Sequence, residues 1–134
     1  MSAENPYEAI VVGIPLDDGF VDEKGVGGED VWKVVLNVGS SDGITSGNIF
    51  VLFALGKELR DPISGGSLGH YEIVRGRARV SHVQERMCTV VSDRSVRRFV
   101  PGNALAALGA KAEFTTEQAP FSYVEVGDFA RLIS

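Results

Sequence analysis

Two histidines, one cysteine, a run of acids and a run of arginines are the residues whose side chains could do chemistry in this chain. His70 and His82 could serve an enzyme only where one of them meets a carboxylate, such as Glu72 or Asp93, in a site that shifts its pKa. Neither stands at the spacing of a triad or a metal motif, so each reads as a satisfied or exposed imidazole and no catalytic residue is assigned. Cys88 lies in Met87-Cys88-Thr89-Val90-Val91, where alternation makes it a small core filler. Asp17, Asp18, Asp22, Glu23, Glu29 and Asp30 could offer oxygen to a hard cation, but their spacing is not that of an EF-hand loop. The expectation is a solvated acidic loop, with no metal and no cofactor. Gly25-Val26-Gly27-Gly28 runs into Glu29-Asp30, whose carboxylates would repel a phosphate. Gly65-Gly66-Ser67-Leu68-Gly69 leads into a strand and lacks the helix N-terminus that a phosphate loop needs, so both glycine runs read as turns.

Charge is distributed unevenly. From His70 to Val100 there are seven arginines (75, 77, 79, 86, 94, 97 and 98) against three acids, a balance of +4, while the rest of the chain carries −9. The first thirty residues hold eight acids and one lysine. Arginine offers a planar fork of donors that matches carboxylate or phosphate. Three uses of that fork follow. The acidic N-terminal segment could lie against the arginine face of the same chain. The arginine face could meet an acidic face on a protein partner or a second copy. Or Arg75, Arg77 and Arg79 could track a nucleic-acid backbone, as small barrels do. A pI near 5.0 and the scarcity of aromatics beside the arginines, only Tyr71 and Phe99 flanking them, disfavour nucleic acid. The expected contact residues are Arg75, Arg77, Arg79, Arg97 and Arg98, facing a protein partner or another copy of the chain.

The elements that would position these residues are strands. Hydrophobic period two runs through Val31–Val38, with Trp32, Val34, Leu36 and Val38 on one face and Lys33 and Asn37 on the other. Ile49–Leu55 is apolar on both faces and reads as a central, doubly covered strand, followed by a polar connection from Gly56 to Gly66. Tyr71–Gln84 is the longest strand expected, with Val74, Gly76, Ala78 and Val80 on one face and Arg75, Arg77 and Arg79 on the other. Val83 is out of phase with Val80, which predicts a bulge near Ser81-His82. Gly76 marks a bend. Arg86–Ser92 is the expected antiparallel partner, making a central hairpin. Ser46-Gly47-Asn48, Pro101-Gly102-Asn103 and Val126-Gly127-Asp128 each precede an apolar segment, as turns do whose Asn or Asp bonds its own backbone. Asn103–Glu113 could be helix or strand, and a strand over Ala104–Leu108 is favoured.

With 134 residues, 44% hydrophobic and 23% charged, the chain is one globular domain over residues 1–134, with an acidic N-terminal segment over about residues 1–30. Val and Ile outnumber Leu 25 to 9, and 16 glycines supply turns, so the expected fold is all-β: a small, partly open barrel of six or seven mainly antiparallel strands. No apolar stretch reaches the roughly 18–20 residues that span a bilayer, so no membrane insertion is expected. The first residues lack the basic and apolar regions of a signal peptide, which makes the cytoplasm the default location, or the periplasm if the chain is part of a longer exported protein.

One stretch is similar to a known family. Val35-Leu36-Asn37-Val38-Gly39-Ser40-Ser41-Asp42-Gly43-Ile44-Thr45-Ser46-Gly47-Asn48-Ile49-Phe50, with Leu59-Arg60-Asp61-Pro62-Ile63-Ser64-Gly65-Gly66-Ser67-Leu68-Gly69, resembles the C-terminal barrel domain of flagellar assembly protein T and related bacterial envelope modules. Those modules carry a similar strand, a Gly-Ser-x-Asp-Gly-Val turn, a Gly-Asp turn and a hairpin, then an acid-bearing strand that Glu72 matches. Asn48 stands where they carry Asp, and Ser64-Gly65 where they carry Thr-Gly. The resemblance, over residues 31–92, implies a non-catalytic assembly or docking module on a small barrel and brings no catalytic residues. The expected function is therefore a protein-binding or assembly module of a bacterial complex. A nucleic-acid-binding barrel and an enzyme with a site near His70 or His82 are the alternatives.

Overall fold

The computed structural model describes residues 9–100 and 113–134. Among these described residues, nine strands alternate with turns: β1 (Ala9–Leu16), β2 (Gly19–Val21), β3 (Lys33–Leu36), β4 (Ile49–Arg60), β5 (Ser67–Val83), β6 (Cys88–Ser92), β7 (Arg94–Val100), β8 (Glu113–Ala119) and β9 (Phe129–Leu132). One 3-10 turn, Ser40–Asp42, lies between β3 and β4. Every strand pairing is antiparallel.

Six strands run round in the order β1-β3-β6-β5-β4-β9, and β9 pairs back onto β1 through Ala9–Ala130 and Ile10–Phe129. The small barrel expected from the alternation is thus present, and it is closed rather than partly open. Closure satisfies the hydrogen-bonding edges that an open sheet would leave exposed. β2 adds a seventh strand beside β1, and β7 and β8 form a separate two-stranded ribbon.

Inward residues alternate as the pleat demands. Val11, Val34, Leu36, Phe50, Leu52, Ala78, Val80, Cys88, Val90 and Ala130 fill the barrel. Cys88 is the core filler its alternation predicts; burial pushes its thiol up to about 11, so it stays protonated near neutral pH. Ile49–Leu55 is covered on both sides as expected: Phe50 and Leu52 face the core, while Phe53 is buried outside it beneath Phe129 and the Arg131 guanidinium, 4.7 Å from the ring centre.

One end of the barrel is tied down by backbone alone. Ser40 and Ser41 N–H donate to the carbonyls of Gln84 and Glu85 in the β5–β6 turn. A Cβ on Gly39 would stand 2.2 Å from the Gln84 carbonyl oxygen, so only glycine allows that approach. The other end is closed by residues 121–128. Phe121 N–H donates to Val31, Ser122 N–H to Arg75, and Gly127 N–H to Val11, so this segment bridges β5, the start of β3 and β1. Phe121, Val124 and Val126 bury their side chains against the core.

Two of the three expected Gly-Asn/Asp turns share one construction. Asn48 Oδ1 accepts the Thr45 N–H at 2.8 Å before β4, and Asp128 Oδ2 accepts the Glu125 N–H at 2.8 Å before β9. In both, the preceding glycine (Gly47 or Gly127) takes positive φ. The third, at Gly102-Asn103, and the strand proposed for Ala104–Leu108 lie outside the described residues.

Strand limits differ from the sequence reading at four strands: β5 runs Ser67–Val83 rather than Tyr71–Gln84, β6 begins at Cys88 rather than Arg86, and β3 and β4 differ as follows. The regular strand after Val31 covers only Lys33–Leu36, and Trp32 is half exposed outside the core. The polar connection expected from Gly56 is instead the continuation of β4 to Arg60, so the turn shrinks to residues 61–66. Asp61 organises that turn: its Oδ1 accepts Ile63 N–H and its carbonyl accepts Gly65 N–H. Polarity misled because a two-stranded ribbon beyond the barrel has no buried face, and so no apolar alternation to read.

Candidate functional site

β5 carries the arginines, and two irregularities in its pairing decide where they point. Pairing with β4 steps from Leu52–Gly76 to Phe53–Val74, which leaves Arg75 as the extra residue of a bulge. The second bulge, between Val80 and His82 against β6, lies where the loss of phase at Val83 placed it. At the first, Gly76 takes φ 151°, and a Cβ there would stand 2.9 Å from Phe121 Cδ1. The bend expected at Gly76 is therefore real, and it is what lets Phe121 close the barrel.

The bulge separates three arginines that strict alternation would keep on one face. Arg75 turns toward the closed end and donates from Nε to Asp128 at 3.1 Å, with only 16% of its side chain exposed. The Asp128 carboxyl is buried and also accepts the Glu125 N–H. Burial raises its pKa above the usual carboxylate value, and the Glu125 N–H and the Arg75 charge pull it only part of the way back. Arg75 is thus a structural residue and is withdrawn from the expected contact surface.

Arg77 and Arg79 keep the outward direction. They share a single carboxylate, Asp93, at 3.3 and 3.6 Å, and each leaves 58% of its side chain exposed. Asp93 lies between β6 and β7, held by its N–H to the Arg77 carbonyl. Beside it a cleft of about 290 Å³ is lined by Arg79, Ser92, Asp93, Arg94, Ser95 and Gln118. Its floor is fixed: Ser92 Oγ donates to the Ala119 carbonyl at 2.5 Å, and Gln118 Nε2 donates to the Ser92 carbonyl at 2.6 Å. Arg94 is exposed and has no carboxylate partner among the described residues. Three guanidiniums and one carboxylate leave this wall with a surplus of positive charge. Arg97 and Arg98 lie further along β7, paired by backbone with Thr116 and Thr115.

The described acids of the N-terminal segment, from Asp17 to Asp30, make no ion pair with this wall. Asp17 and Asp18 form the tip of the β1–β2 hairpin, and Asp22, Glu23, Glu29 and Asp30 follow it, all exposed. Their one side-chain partner among the described residues is the Tyr123 hydroxyl, which donates to Glu29. Gly25 and Gly28 N–H donate to Val126 and Val124, so the glycine run is a turn packed on the closing segment. The arginines instead find carboxylates elsewhere: Asp128 for Arg75, Asp93 for Arg77 and Arg79, and Glu72 for Arg131. For the described acids 17–30, the expectation that the acidic segment lies against the arginine face is corrected. β1 stands three strands from β5 in either direction round the barrel.

Both histidines are exposed on β5. His70 Nδ1 meets the Gly56 carbonyl at 2.9 Å, and neither ring has an ion-pair partner among the described residues. Their spacing of twelve residues along one strand keeps them far apart. No group of three or more His, Cys, Asp or Glu is placed to hold a metal ion among the described residues, and no described helix is long and apolar enough to cross a membrane.

Two features escaped the sequence reading. Asp93 and Gln118 shape the arginine wall, yet only the fold brings β8 beside the end of β6. The second is the free ribbon of β4 and β5 beyond the barrel, which exposes Leu59, Leu68, Tyr71, Ile73 and Val74, with Ile63 95% exposed at its tip. The signal for it was present in Leu59-Arg60-Asp61-Pro62, where strand residues precede an Asp-Pro turn.

No family model, curated protein or solved structure matches the chain.

Proposed function

We propose that this chain is a non-catalytic protein-binding or assembly module of a bacterial complex, docking an acidic surface of its partner on the arginine wall. The observation that carries this reading is that Arg77 and Arg79 share one carboxylate while Arg94 beside them has none among the described residues. Exposed ion pairs of this kind contribute little to folding, roughly 0–1 kcal/mol. A guanidinium that shares its carboxylate keeps N–H donors for a second one, and it holds them in a fixed fork. The resemblance of residues 31–92 to the barrel domain of flagellar assembly protein T supports the same class of function. The contact set is then Arg77, Arg79 and Arg94, with Arg97 and Arg98 extending it along β7.

Fluorescence anisotropy with a labelled poly-glutamate peptide tests this reading, with an oligonucleotide of equal charge as the comparison. The wild-type chain binds the peptide at low salt, and Arg77→Glu with Arg79→Glu abolishes binding while leaving the melting temperature nearly unchanged. A wild-type chain that ignores the peptide overturns the reading. Preference for the oligonucleotide, with affinity falling steeply as salt rises, would turn it to the nucleic-acid alternative.

A further inference from the structure

We infer that the acidic surface docked by the arginine wall belongs to a second copy of this chain, and that its contacting element is the tip of the β1–β2 hairpin. This rests on the reading of the arginine wall as a docking surface. Asp17 and Asp18 occupy the two-residue turn between Leu16 and Gly19, and both are exposed without an ion-pair partner among the described residues. β2 is only three residues long and pairs with β1 alone, so the hairpin is an appendage of the barrel wall. Its tip therefore presents two adjacent carboxylates on a narrow, hydrogen-bonded support.

The cleft beside Asp93 is complementary to that tip in charge. Arg79 and Arg94 line it with guanidiniums, and Ser95 and Gln118 add polar groups. Two carboxylates entering there would meet Arg94, which has none among the described residues, and Arg79, which has only a share of Asp93. Within one chain the described tip and cleft share no ion pair, and β1 and β5 are on opposite walls of a closed six-stranded ring. Between two chains nothing in the ring prevents it. The hairpin and the cleft are different surfaces, so the contact is heterologous: each copy offers one hairpin and one cleft, and copies add head to tail, forming rings or filaments.

Light scattering and sedimentation of the whole chain over a concentration series test this. The wild type forms species larger than a dimer at about 50 mM salt and disperses at about 500 mM, where the Debye length is several-fold shorter. Asp17→Asn with Asp18→Asn is monomeric, and so is Arg79→Gln with Arg94→Gln. An equimolar mixture of those two variants gives a one-to-one dimer and nothing larger, because it retains a single matched hairpin and cleft. A wild type that stays monomeric at every concentration overturns the inference, as does continued assembly of the Asp17→Asn, Asp18→Asn variant. If that monomer still binds poly-glutamate through Arg77 and Arg79, the docking reading survives and only the second copy falls. If it binds neither, both fall.

Discussion

Arg75 and Arg77 stand two residues apart on one strand, yet they do opposite work. Arg75 is mostly buried, its carbonyl accepts Ser122 N–H and its guanidinium meets buried Asp128. Arg77 is mostly exposed and shares a carboxylate that Arg79 also uses. The residue between them is Gly76, and one unpaired position at that bulge turns a surface arginine into part of the barrel's closure. Residue type and spacing set what a guanidinium can do, but the phase of the strand decides which of those things it does.

The contrast breaks hardest at Asp128. Asp128→Ala strands a mostly buried guanidinium and frees the Glu125 N–H, and should cost about 3–5 kcal/mol by urea unfolding. Gly76→Ala attacks the bulge itself, through an unfavourable φ and contact with Phe121, and should cost about 2–3 kcal/mol. A loss below about 0.5 kcal/mol would mean that Phe121 moves aside freely. Arg77→Gln with Arg79→Gln should change stability by less than about 1 kcal/mol, while removing the binding proposed for that wall.

Acid titration sharpens the same comparison. Asp128 holds its proton more firmly folded than unfolded, because its folded pKa is raised. Its contribution to stability is therefore full below the ordinary carboxylate value and is lost as pH rises through the raised one. Asp128→Asn cannot titrate and keeps an oxygen for Glu125 N–H. The stability of wild type relative to Asp128→Asn should fall as pH rises through that window, then level off. Unfolding midpoints of both proteins across the acid range check this. A difference that grows with pH would reverse the assigned direction.

The smallest effect lies at the matching turn. Asn48→Asp keeps the acceptor for Thr45 N–H, as Asp128 does for Glu125, but replaces the Nδ2 donor to the Ser134 carbonyl with a carboxylate. A loss of about 0.5–1 kcal/mol is expected for that exposed hydrogen bond.

Local signals carried most of the barrel. Alternation marked the inward Ala78 and Val80 of β5 and Cys88 and Val90 of β6 but also placed exposed Val74 with them, loss of phase at Val83 placed one bulge, and Gly-Asn or Gly-Asp announced the starts of β4 and β9. Each is a relation between near neighbours in sequence, which pleat and turn geometry convert directly into shape. The Arg75 bulge was not legible in the same way. Phe121, which packs against Gly76, is forty-five positions away, and nothing in Val74-Arg75-Gly76-Arg77 says which way the extra residue turns.

The sequence by itself determined the strand class, the separation of acidic and arginine-rich segments, and the turn chemistry that starts two barrel strands. Only the tertiary structure decided how those charges are distributed. Closing six strands into a ring put the acidic hairpin across the barrel from β5, and carrying residues 121–128 over one end buried Asp128 against Arg75. Ion pairing depends on distance in space, and distance in this fold follows from the order of strands round the ring rather than from their order along the chain.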